Sequence, residues 1–146
     1  MKKLLTITAT LLLLASTNVF AAEKNYGTFT NVTVLSNYDG DTLTVNIPGV
    51  PDIFGKAMHV RVAGIDTPEM HGKCDKERQL AESAKEEVYV IVRDHPQVTL
   101  TNMRRGKYFR IVADVETSEG NLAKILLDKG LAVPYNGGTK EKNWCE

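Results

Sequence analysis

Val60-Arg61-Val62-Ala63-Gly64-Ile65-Asp66-Thr67-Pro68-Glu69 reads as a strand that runs into an acidic turn. Val60, Val62 and Gly64 fall on one face of an extended segment and Arg61 and Ala63 on the other, so a cation rides on a strand of β-branched residues. Pro68 biases Thr67 away from helix and ends the inner strand, which leaves Asp66, Thr67 and Glu69 presented at its tip. Upstream, Asp39-Gly40-Asp41-Thr42 separates two strand-like runs and carries a hairpin signal. Asp39 reads equally well as a turn former and as part of a site, whereas Asp41 is the better ligand candidate. Asp41, Asp66 and the Thr67 carbonyl would supply hard oxygen donors, which suit calcium or magnesium and not zinc.

Outward from these turns the pattern predicts strands over Thr28–Ser36, Thr42–Ile47 and Met58–Ile65, the second closed by Pro48-Gly49-Val50-Pro51. Leu80, Ala84, Val88 and Ile91 then recur at helical spacing, with Asp75 as N-cap and Asp94-His95-Pro96 as the stop. Gln97–Asn102 and Phe109–Glu116 read as further strands joined through Arg104-Arg105-Gly106-Lys107. A second helix is expected over Asn121–Lys129, ended by Gly130. The order β-β-β-α-β-β-α makes the chain α+β, and the residues alone give no strand order.

Met1-Lys2-Lys3, an apolar run to Leu14 and the small-residue stretch ending Ala21-Ala22 have the zones of a secretory signal peptide. We expect residues 1–21 to be removed and residues 22–146 to form one domain, secreted or periplasmic, monomeric and without stable membrane association. Two of the 18 basic residues, Lys2 and Lys3, lie in the leader, so the mature chain carries a net charge of −2 against its 18 acidic residues. It is no bulk polycation, and nucleic acid would have to be gripped locally with help from a bound cation. Export also puts Cys74 and Cys145 where disulfides persist. Pairing is the simpler reading and two free thiols the other. The bridge would close a loop of roughly 70 residues, for which chain entropy gives on the order of 4 kcal/mol as an upper value.

Asp39 to Thr42, Arg61 to Glu69, Lys107-Tyr108-Phe109-Arg110-Ile111-Val112-Ala113-Asp114-Val115 and Lys129-Gly130-Leu131-Ala132, in that order, resemble the staphylococcal-nuclease-like, or thermonuclease, family. The resemblance runs from Val34 to about Tyr135. It implies an OB-fold, a five-stranded β barrel with two flanking helices, that works as a metal-dependent phosphodiesterase, an endonuclease. It further implies Ca2+ held by Asp41, Asp66 and the Thr67 carbonyl, a water-handling carboxylate at Glu69, and phosphate-gripping arginines at Arg61 and Arg110. The substrates implied are DNA and RNA, cut to leave 3′-phosphate ends.

Lys107, Tyr108 and Tyr135 are candidate substrate contacts, a cation and two stackable phenols, although a part-buried Tyr also serves as core. The chain departs from the family at Phe109, where Gly is common. If that position needs positive φ, the turn is expected to shift toward Arg105-Gly106. His59, His71 and His95 are scattered and receive no catalytic role. The alternative is a non-catalytic OB-fold that binds nucleic acid, a class whose members typically lose the acids and arginines retained here.

Overall fold

The computed structural model describes residues 24–146; the expected leader lies outside them. Strand β1 (Phe29–Asn37) pairs antiparallel with β2 (Thr42–Asn46), which pairs with β3 (Met58–Val62). On its other side β1 meets β5 (Gln97–Arg105), and β5 meets β6 (Ile111–Thr117). A parallel β3–β6 ladder, Val60 opposite Ile111 and Val62 opposite Ala113, then closes the five strands into a barrel. Closure leaves these strands no free edge, as the expected OB-fold requires.

The alternation that predicted the strands is the alternation that fills the barrel. Val32, Leu43, Val45, Val60, Val62, Leu100, Ala113 and Val115 point inward and are almost wholly buried. Helix α2 (Asp75–Arg93) covers one opening with Ala81, Ala84, Val88, Ile91 and Val92. The stripe holds Ala81 and not Leu80, which is only half-buried. Helix α3 (Leu122–Asp128) adds Leu122 and Leu126, with Asn121 as N-cap, its side chain accepting from the Lys124 N–H at 3.0 Å.

Several boundaries differ from expectation. A single-turn helix, α1 (Asp52–Gly55), follows the Pro-Gly-Val-Pro loop. The third strand stops at Val62, because Gly64 takes a φ of 78° and turns the chain into a separate short strand, β4 (Ile65–Asp66). A two-residue strand, β7 (Gly120–Asn121), pairs with the end of β6, and β4 pairs with β8 (Val133–Pro134). The N-cap of α2 is Cys74 and not Asp75: its sulfur accepts from the Glu77 N–H at 3.4 Å, while Glu77 reaches back to the Lys73 N–H at 2.8 Å. This pairing is a capping box displaced by one residue, since Glu77 accepts from the residue before the N-cap, and it leaves Glu77 buried yet satisfied.

Cys74 and Cys145 form a disulfide with Cα atoms 6.0 Å apart. It ties the last residues of the chain to the start of α2, just beyond the Glu69 turn. Trp144, the neighbour of Cys145, is buried.

Candidate active site

The acidic turns that lie on either side of β2 and β3 meet at the mouth of the barrel. The Asp41 carbonyl accepts from the Val62 N–H at 2.8 Å, and Asn37 at the end of β1 donates to the Lys85 carbonyl of α2, also at 2.8 Å. The upstream turn is thereby fixed to both β3 and α2. Asp39 shapes it by accepting the Asp41 N–H at 3.0 Å. Burial, and then the neighbouring Asp41 charge, raises the Asp39 pKa above the ordinary carboxylate value.

Gly40 has a structural reason other than turn geometry, since its φ is not left-handed. A Cβ there would lie 2.8 Å from the Ala84 Cβ and 2.9 Å from the Thr67 Cγ2. Only a residue without a side chain lets the turn approach α2 and Thr67 so closely.

Asp41 and Asp66 are each only 3 % exposed, and two carboxylates that buried require cationic partners. Arg61 supplies one. Its guanidinium forms an ion pair with Asp41, contacts the Asp66 carboxylate at 3.3 Å and donates to the Ile65 carbonyl at 3.1 Å. Burial works against the Arg61 charge, but the Asp41 charge and hydrogen bond, followed by Asp66, outweigh it and raise its pKa. The Tyr135 ring lies 5.8 Å from the guanidinium carbon, so the arginine is held from this side too.

Lys140 supplies the other cation. Its ammonium sits 2.7 Å from Asp66 Oδ1 and pairs with Glu69 as well. This lysine, in what reads as a short polar tail, was not anticipated as a site residue. The signal for it lay in the cysteines, because pairing Cys145 with Cys74 brings the tail back past the Glu69 turn.

A cleft of about 390 Å3 opens on these groups, lined by Asp41, Arg61, Thr67 and Glu69 together with Lys107, Arg110, Tyr135 and Lys140. Of the expected metal, catalytic and substrate residues, Asp66 and Tyr108 do not line this cleft: Asp66 is buried and reaches the site through Arg61 and Lys140, whereas Tyr108 stands outside it. It is 93 % exposed and lines an adjoining groove with His59, Thr44 and Arg110. A larger hollow of about 590 Å3, lined by residues of 94–99 and 116–118 and Asn31, contains no lysine or arginine and so has no grip for an anion.

Arg110 reaches the cleft without the expected shift of the turn. The hairpin keeps its tip at Tyr108 and Phe109, with φ of 57° and 61°, while Gly106 remains extended at φ −90°. The Arg110 N–H closes the turn on the Lys107 carbonyl at 3.2 Å, and the Gly106 N–H pairs with the Arg110 carbonyl at 2.7 Å. The strain expected at Phe109 is thus carried there. Arg110 Nε is buried with no hydrogen-bond acceptor among the described residues, which leaves one guanidinium donor for an outside partner.

The donors suit a hard divalent cation. Asp41, Asp66 and the Thr67 carbonyl are all oxygens, and the Lys140 ammonium already occupies a cation's place beside Asp66. Among the described residues, Cys74, Glu77 and Cys145 are also clustered closely enough to hold an ion, but the disulfide consumes both sulfurs.

Residues 59–144, more than half of the chain, match the family model described as staphylococcal nuclease homologue. No curated protein matches the chain. The family match begins after the Asp39–Thr42 turn, so Asp41 joins the site through its contacts with Arg61 and Thr67.

Proposed function

The chain belongs to the family of staphylococcal nuclease homologues, and from that premise we propose that it is an exported, calcium-dependent nuclease that hydrolyses DNA and RNA to leave 3′-phosphate ends. The observation that carries this reading is the meeting of buried Asp41 and Asp66 on the Arg61 guanidinium, beside a cleft that Asp41, Arg61 and Arg110 line. A barrel that only bound nucleic acid would have no use for two buried carboxylates, which repel a phosphate. With a cation between them they attract it.

Asp41, Asp66 and the Thr67 carbonyl would hold the ion. A calcium ion bound there would supply charge neutralisation and Lewis-acid polarisation. Arg61 and Arg110 present planar forks to the remaining phosphoryl oxygens, a two-pronged grip that an ammonium cannot reproduce. Glu69, half exposed on its turn, orients the attacking water and accepts its proton. Attack at phosphorus opposite the 5′-oxygen breaks the P–O5′ bond, leaves the phosphate on the 3′ side and releases the 5′-oxygen as a hydroxyl that takes its proton from solvent. Lys107 and Tyr135 line the same cleft and would contact the flanking backbone, with Tyr108 beside it on the hairpin tip.

No helix among the described residues is long and apolar enough to cross a membrane. The test is digestion of denatured DNA and of RNA with calcium, with zinc and with a strong chelator, followed by analysis of the product ends. Cleavage with calcium alone and 3′-phosphate ends are expected. Full activity in the chelator would overturn the metal's role, and tight binding without cleavage would establish the non-catalytic alternative.

A further inference from the structure

We propose that Lys140 is the site's built-in counter-ion, a positioning residue whose ammonium holds Asp66 and Glu69 before the metal arrives and has to leave Asp66 when it binds. The proposal rests on the reading of Asp66 as a metal ligand. The geometry is that of a bridging cation: Lys140 Nζ lies 2.7 Å from Asp66 Oδ1 and pairs with Glu69 in the same contact. An ammonium and a divalent ion cannot share that carboxylate, because at such separation their mutual repulsion is strong in a part-buried site. The affinity for the metal is therefore what remains after Lys140 has been displaced.

The tail is built to deliver this lysine. Tyr135 is fixed to the barrel by its N–H to the Gly64 carbonyl at 2.9 Å, and its hydroxyl donates to the Gly138 carbonyl at 2.7 Å. Gly137 and Gly138, at φ of 95° and 90°, bend the chain back over the cleft. At the far end Cys145 is bonded to Cys74. Lys140 stands midway between the two anchors.

While Lys140 is in place, Glu69 is engaged by an ammonium and is not free to orient a water. Departure of Lys140 frees both carboxylates together. Metal binding and release of the proposed base are thus one event, and the site is armed only when the ion is present.

The experiment is calorimetric titration of the full mature, oxidised protein with calcium alone, for the wild type, Lys140→Met and Lys140→Arg. Lys140→Met should bind calcium about tenfold or more tightly, a coupling of ordinary size between two sites. Lys140→Arg, which keeps the charge, should stay near wild type. Equal affinity for wild type and Lys140→Met would overturn the proposal, whereas no calcium binding by any of the proteins would overturn the metal reading beneath it. Amine acylation of the wild type, read by mass spectrometry at Lys140, needs no variant. Labelling should rise when calcium saturates the protein, and labelling that calcium leaves unchanged would equally overturn the proposal.

Discussion

Thr67 donates its backbone N–H, at 3.2 Å, and its hydroxyl, at 3.1 Å, to the same oxygen of Asp41. That pair of bonds joins two turns separated by the whole of β2 and β3. It leaves the other Asp41 oxygen to Arg61 and the Thr42 hydroxyl, and both Asp41 and Thr67 line the cleft. The proposed metal site therefore depends on how closely the Gly40 turn can pack on Thr67.

Gly40→Ala tests this dependence. The added Cβ would meet the Ala84 Cβ at 2.8 Å, a distance that real contacts do not tolerate, so the turn has to retreat. Overpacking of this kind costs about 1–3 kcal/mol. We expect a lower urea midpoint and calcium binding weakened by about tenfold, as Asp41 moves relative to Thr67. Wild-type calcium affinity in a folded Gly40→Ala protein would show that the close approach does not position the ligand.

Glu69 and Arg61 should separate chemistry from binding. Glu69→Gln keeps size and hydrogen bonding but removes the proton acceptor, so turnover should fall on the order of 10² to 10⁴ with substrate affinity near wild type. Arg61→Lys keeps a charge beside Asp41 and Asp66 but loses the planar fork, and should slow single-turnover cleavage more than it weakens nucleotide binding. Glu69→Gln cleaving at the wild-type rate would remove the carboxylate from the mechanism. An Arg61→Lys protein indistinguishable in both assays would reduce the arginine to a counter-charge for the buried acids.

The disulfide predicts a coupled result. Oxidised protein should titrate with no free thiol, and reduction should lower the thermal midpoint, since the cross-link constrains a loop spanning 71 positions of sequence. Reduction also frees the tail that carries Lys140, so calcium affinity should rise in the same direction as in Lys140→Met. An unchanged midpoint after verified reduction would mean that the tail is held by Trp144 and its ion pairs alone.

Much of this was legible because the chain's strongest signals are local. Alternation predicted each barrel strand, and the Asp-Gly-Asp and Asp-Thr-Pro-Glu turns could be read as acidic tips, since period and turn chemistry are properties of neighbouring residues. Closure of the barrel by a parallel β3–β6 ladder was beyond local reading and came only with the family resemblance. The role of Gly40 was hidden for a related reason: Asp-Gly suggests a turn, whereas the glycine is needed for contact with a helix whose Ala84 lies far along the chain. Lys140 is hidden most deeply. Nothing in Thr139-Lys140-Glu141 distinguishes it from a solvated tail until the disulfide and the Tyr135 anchor fix where that tail runs.

Phe109 offers the sharpest check on local reading, because the resemblance suggested that a positive φ at this position would be avoided and the chain instead adopts one, at 61°. A Cβ in that region costs about 1–2 kcal/mol. The ring is 58 % exposed, so little burial offsets the strain, although the Arg105 guanidinium lies 4.1 Å from its centroid. Both Phe109→Ala and Phe109→Gly remove that cation–π contact, but only glycine also removes the strain. We therefore expect the glycine variant to be more stable than the alanine variant by about 1 kcal/mol, the reverse of their order in a helix or strand interior. Urea denaturation of the two variants side by side measures the difference directly. Alanine equal to or better than glycine would mean that the hairpin tip is not left-handed at Phe109, and that Arg110 reaches the cleft from a differently shaped turn.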